Sequence, residues 1–239
     1  MTERKPEQLA LPLAYQPARG RETFLVSESN RAAWGAVTRA DAPRRLVLSG
    51  PEGAGKTHLA SIWGESNHAL RVTAREMTEQ RQAQLIGAPA VVIEDVDRLA
   101  KLPGPAARQV ETLIFHLCNL AAAEDMALLI TGRAAPAHWR LTIPDVASRL
   151  TALPHVPISP PDDELLSAVL HKLVADRQML LGDDVVVFLL RRMERSFAAA
   201  EDLIERLDRL ALARRKPITR PLARELFRDE EATEGEGEI

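Results

Sequence analysis

Gly50-Pro51-Glu52-Gly53-Ala54-Gly55-Lys56-Thr57 constrains this chain more than any other stretch, because such a loop is useful only between a strand and a helix. Arg45-Leu-Val-Leu-Ser-Gly50 enters it as an apolar, β-rich run, and Thr57 opens His58-Leu-Ala-Ser-Ile-Trp63, which reads as a helix. Strand, glycine-rich loop and helix in that order make a P-loop. Gly50, Gly53 and Gly55 let the backbone wrap close to phosphate, while loop N–H groups and the helix N-terminus supply donors and positive potential. Lys56 is placed to neutralise the β- and γ-phosphate oxygens, and the Thr57 hydroxyl to ligate Mg2+. The expected cofactors are therefore ADP or ATP with Mg2+, contacted by residues 50–57 and by His58 just after them.

A second strand supports the same site. Ala88-Pro-Ala-Val-Val-Ile-Glu94-Asp95-Val-Asp97 is a continuous apolar run ending in carboxylates, the pattern of a strand buried on both faces beside the loop. It has the form of a Walker B strand, with the acids in the order Glu-Asp. Glu94 is expected to orient a water on Mg2+ and Asp95 to polarise the attacking water; the altered side-chain lengths predict weak hydrolysis at most. Asp97 reads as a solvated charge. A third run, Met126-Ala-Leu-Leu-Ile-Thr131-Gly-Arg133, is again a buried strand.

At 239 residues the chain has room for a large core and a smaller satellite. With 46% hydrophobic and 27% charged residues and no apolar run of membrane-spanning length, membranes are excluded as partners and a cytoplasmic location is expected. The single cysteine, Cys118, lies in a helical apolar pattern and reads as a buried structural thiol. Strand signals stop after Pro160. Asp162–Arg177, Asp183–Met193, Phe197–Ala213 and Thr219–Phe227 read as four helices, with Asp162, Asp183 and Thr219 as N-caps. The expected organisation is an arm over 1–20, an α/β domain with a parallel sheet over 21–159, a helical domain over 160–228, and an acidic disordered tail over 229–239. That tail carries six of the 34 acids, so the remainder, with 31 basic and 28 acidic side chains, is only mildly basic. Such a balance does not argue for direct binding of nucleic acid.

Two arginines keep two readings each on residue type alone. Arg149, in Pro144-Asp-Val-Ala-Ser-Arg-Leu150, is either a solvated charge at a helix end or a finger that reaches a γ-phosphate. Arg195, just before the third C-terminal helix, is either a surface charge or a residue reaching back to the P-loop domain. Near the start, Gln8-Leu9-Ala10-Leu11-Pro12-Leu13 puts three leucines in a segment too short and too proline-broken for a core helix. It serves either as an extended anchor for a groove on another protein or as an arm folded back on its own domain.

Phe24-Leu-Val-Ser-Glu-Ser-Asn30, the P-loop, Ile93-Glu-Asp-Val96, Ile130-Thr-Gly-Arg133, Ser148-Arg-Leu150 and Arg195 resemble, in order and spacing, the AAA+ core of the bacterial replication initiator DnaA, over residues 22–228. Gln8, Leu9, Leu11, Pro12 and Leu13 resemble the motif with which proteins dock on the DNA polymerase III sliding clamp. The combination is similar to the Hda-type homologues of DnaA. That resemblance implies an AAA+ domain with a C-terminal helical lid, docked on the clamp, that stimulates ATP hydrolysis by DnaA and so restrains replication initiation. It makes Arg149 the arginine finger, Arg195 the sensor 2 residue and Thr131 the sensor 1 residue. It further implies a homodimer or higher homo-oligomer that meets DNA only through the clamp, with little ATPase activity of its own. An autonomous AAA+ ATPase such as a helicase loader is the alternative.

Overall fold

The computed structural model describes residues 20–235, with side chains described as far as Phe227. Five strands form one parallel sheet in the order β2-β3-β4-β1-β5: β1 (Arg45–Ser49), β2 (Leu70–Thr73), β3 (Ala90–Glu94), β4 (Ala127–Gly132) and β5 (His155–Pro157). Parallel strands need crossovers. These contain α2 (Lys56–Asn67), α3 (Glu79–Leu85), α4 (Gly104–Ala123) and α5 (Pro144–Ala152), with α1 (Arg31–Thr38) preceding β1.

Helices cover both faces, which is why β1, β3 and β4 read as unbroken apolar runs. Side chains alternate along a strand. Val47, Val91, Ile93, Leu128 and Ile130 accordingly meet Ile114, Leu117 and Leu150 on the face of α4 and α5. Leu46, Leu48, Val92 and Leu129 meet Ala33, Leu59 and Trp63 on the face of α1 and α2. Each such aliphatic side chain contributes about 2 kcal/mol on leaving water. β2 and β5 are short and partly exposed, and the hydrophobic pattern does not announce them.

The C-terminal helices α6 (Asp163–Asp176), α7 (Asp183–Leu190), α8 (Phe197–Arg214) and α9 (Arg220–Gly235) enclose a separate core of Leu170, Leu173, Val185, Phe188, Leu203, Ile204 and Leu207. Asp162 caps α6 by accepting from Leu165 N at 2.8 Å, as the sequence suggests, and Ser196 caps α8 by accepting from Ala199 N at 3.1 Å. At α7 the cap is Gly182 rather than Asp183. Asp183 is instead the first helical residue, where a carboxylate faces the positive end of the helix. α9 carries helical backbone through 229–235, where a disordered tail was expected. Asp229-Glu-Glu-Ala extends a helix already nucleated, and Glu and Ala are strong helix formers. Among the described residues no helix is long and apolar enough to cross a membrane. Residues 8–13, the expected docking peptide, lie outside the described residues.

Candidate functional site

The P-loop turns at the C-terminal end of β1. Gly53 and Gly55 have φ of +74° and +90°, a left-handed backbone that other residues adopt only under strain. The conformation also sets the loop against the C-terminal helical unit. A Cβ on Gly53 would fall 2.5 Å from Ser196 Cβ, and Phe197 N donates to Gly53 O at 3.3 Å. The start of α8 therefore rests on the loop itself.

Lys56, 8% exposed, donates to Gly50 O at 2.7 Å and Pro51 O at 2.8 Å. Burial pushes its ammonium below the ordinary lysine value, while the Asp95, Asp97 and Glu52 carboxylates pull it back up. Thr57 Oγ1 donates to Glu94 Oε2 at 2.8 Å. The next residue, Asp95, has φ of +59°, and its N–H donates to Thr131 Oγ1 at 3.2 Å. Thr131, fully buried on β4, thus holds the backbone turn that carries the Asp95 carboxylate. An aspartate in the left-handed region at a strand end is strain retained where a side chain must be aimed. Asp97, read as a solvated charge, instead has its Oδ1 buried without a hydrogen-bond partner.

Glu52 in the loop is bracketed by two arginines that sequence reasoning gave no role: Arg133 at 2.5 Å and Arg98 at 3.4 Å. Arg98 also lies 3.3 Å from the Asp95 carboxylate. His58, in the first turn of α2, has Nε2 3.2 Å from Gly20 O, and its ring meets Phe24 edge-on at 5.1 Å. Phe24 in turn stacks on Trp34 at 5.1 Å with the rings nearly parallel. That stack fixes the segment before α1 over the loop.

Together these parts wall a cleft of about 700 Å3. The P-loop and Asp95 form its floor, Thr23–Leu25 one side, and Val169, Lys172, Leu173, Phe197 and Ala198 the roof. Lys172 donates to Thr23 O at 3.1 Å, closing the roof onto the side. The size and mixed polarity suit a ligand with an apolar body and an anionic end.

The two arginines read from sequence lie elsewhere. Arg195 pairs with Asp163 at 2.9 Å, is half exposed and does not line the cleft. Arg195 is the residue expected at sensor 2, and it stands immediately before α8, whose first turn rests on the P-loop. Arg195 precedes the Ser196 cap and pairs with the first residue of α6, while Ser196 packs on Gly53 and Phe197 and Ala198 line the cleft. Arg149 sits on α5, exposed, with its guanidinium 5.0 Å from the centre of the Phe115 ring. It lines a second recess with Cys118 and Leu153, near Arg44 and Arg45 at the far end of β1 from the loop. Burial pushes the Cys118 thiol up to about 12, so it is no nucleophile.

The residues expected to hold Mg2+ are engaged with protein partners. Thr57 and Glu94 are hydrogen-bonded to each other, and the second Glu94 oxygen is ion-paired with Arg71 at 2.5 Å. Among the described residues no group of three or more His, Cys, Asp or Glu side chains converges on a metal position.

The sheet order, the P-loop between β1 and α2, the acid pair ending β3 and the helical lid define the AAA+ fold. Residues 162–227 match the family model described as Hda, lid domain. Domain III of the replication initiation protein DnaA from Thermotoga maritima superposes with a TM-score of 0.75 at 21% identity, over 90% of this chain and 97% of that one. AMPPCP-bound DnaA from Aquifex aeolicus gives 0.68 at 17% identity, over 81% and 66%. A structure described as a DNA replication initiation factor gives 0.68 at 19% identity, over 78% of this chain and 63% of its own length. The chain thus has the AAA+ fold, with a C-terminal segment that matches the Hda lid model, and it spans less than two thirds of the initiation factor it matches.

Proposed function

We propose that this protein is a nucleotide-bound AAA+ regulator that restrains replication initiation by presenting Arg149 to the ATP of DnaA. The carrying observation is where Arg149 sits. It is exposed on α5, on an element outside the protein's own cleft, so any phosphate it meets belongs to another chain. An arginine supplied in trans stabilises charge that develops as the γ-phosphoryl group leaves.

The cleft takes ADP or ATP in this reading. The A. aeolicus DnaA of the same fold holds AMPPCP. Lys56 and the loop N–H groups hold the phosphates, while Thr23–Leu25, Val169 and Leu173 hold the base and sugar. Chemistry at this site is weak, because the acids ending β3 stand in the order Glu94-Asp95 and Glu52 engages both Arg98 and Arg133, while Arg195 serves as the sensor 2 residue. A lid seated on Gly53 transmits occupancy of the cleft to the orientation of the whole chain. Gln8, Leu9, Leu11, Pro12 and Leu13 dock the protein on the DNA-loaded sliding clamp, which brings it to DnaA, and copies of the chain associate on the clamp.

The deciding assay is ATP turnover by DnaA with this protein, clamp and DNA added singly and together. Stimulation requiring all of them supports the regulator. Turnover by this protein alone, indifferent to DnaA, overturns it and points to an autonomous ATPase.

A further inference from the structure

In a P-loop that recruits a divalent cation, the charge of the strand-end acid is answered by the cation and its waters. Here that charge is already matched. Glu94, 9% exposed, accepts from Thr57 Oγ1 through one oxygen and from Arg71 Nη2 through the other. The second Arg71 nitrogen, Nη1, donates to Ser61 Oγ at 2.7 Å, on the helix that begins with Lys56 and Thr57.

Topology produces this contact. β2 lies beside β3 with Arg71 opposite Val92 and Thr73 opposite Glu94. Alternation sends Val72 into the α4 side of the core and Arg71 toward α2. Glutamate, one methylene longer than the aspartate usual at this place, reaches both the loop hydroxyl and the guanidinium. A buried carboxylate keeps its charge only with a cation or several donors, and the planar fork of arginine supplies both.

We propose that Arg71 stands in for the divalent cation's charge at Glu94, so that the cleft holds adenine nucleotide with little dependence on Mg2+. The proposal rests on the nucleotide reading given above. A cation approaching Glu94 must displace the Arg71 guanidinium from a largely buried carboxylate and shed its own water, while being repelled by that guanidinium. Phosphate charge is then met by Lys56, the loop N–H groups and the helix N-terminus.

The test is titration of the full chain with ADP by calorimetry, in excess Mg2+ and in EDTA. For the unmodified protein the two Kd values should agree within about threefold, whereas Arg71→Met, which keeps the apolar stem, should bind at least about tenfold more weakly in EDTA than in Mg2+. Adding Glu94→Gln to Arg71→Met should abolish that difference, a reversal that a merely structural role for Arg71 would not produce. If Arg71→Met does not fold by circular dichroism, Glu94→Asp, which draws the acid away from Arg71, should show the same gain of Mg2+ dependence. Loss of about tenfold or more by the unmodified protein in EDTA overturns the proposal alone. Absence of ADP binding under both conditions overturns the nucleotide reading with it.

Discussion

Removing one buried carboxylate should loosen the helix that carries Arg149. Glu111 on α4 is fully buried and accepts from Thr142 N at 2.9 Å, Thr142 Oγ1 at 2.9 Å and Ile143 N at 2.7 Å. α5 begins one residue later, at Pro144, and its N-cap, Ile143, has no side chain able to accept a bond. Glu111 therefore caps α5 from a neighbouring helix, with its charge set against the positive end of the helix dipole. Glu111→Ala strands three donors, on exposed Thr142 and partly buried Ile143, each costing at most about 1–3 kcal/mol where water cannot reach it. Water entering the space recovers part, so the net loss should be about 3–5 kcal/mol, a large share of the 5–15 kcal/mol typical of a domain. Glu111→Gln keeps one acceptor oxygen and should lose about 1.5–3 kcal/mol, mainly the charge assistance. Urea unfolding followed by tryptophan fluorescence reads this region selectively, since Trp34, Trp63 and Trp139 all lie in the α/β unit. An Ala variant whose midpoint corresponds to under about 0.5 kcal/mol of change would refute the capping argument.

Arg149→Ala should leave nucleotide and clamp binding intact while DnaA turnover in the complete assay falls by about 10³ or more, and Arg149→Lys should rescue little because a point charge lacks the planar fork. Lys56→Ala should abolish the rise in melting temperature that nucleotide confers on the unmodified protein; an equal rise in both would show that Lys56 does not hold phosphate. Asp162 is set by opposing influences: desolvation raises its pKa, and hydrogen bonds from Leu165 N and from Ser27 and Ser29 outweigh it, so the net direction is downward from 3.8. Its contribution is thus present above about pH 4 and lost as pH falls through the lowered folded value. Asp162→Ala should cost about 1 kcal/mol at neutral pH and flatten the acid limb of a pH-melting profile; an unchanged acid limb would exclude it as the source.

The parts of this molecule visible in its sequence are those whose physics is local or strictly periodic. The P-loop shows because its glycines, Lys56 and Thr57 are contiguous, and β3 and β4 show because burial on both faces leaves no polar alternation. Asp162 caps α6 where an Asp before an apolar stripe should. Contacts made by the sheet order are another matter. Arg71 meets Glu94 only because β2 pairs with β3, and nothing in Leu-Arg-Val-Thr foretells that. Glu111 did leave a signal: it interrupts the stripe of Ala107, Val110, Ile114, Leu117 and Ala121, where only a satisfied acid can stand.

The seam between Gly53 and the start of α8 gives the missing side chain at Gly53 a mechanical meaning. Two units joined by a single linker at residues 158–162 are held a second time on their opposite side, by the bond from Phe197 N to Gly53 O and the ring of Phe197 against Gly55. A hinge fastened on its swinging edge has no free travel. To gape, it must break a hydrogen bond of about 1 kcal/mol and wet an aromatic ring. The P-loop backbone and the clasp that keeps the two units shut are then the same few atoms, and whatever reshapes the first resets the second.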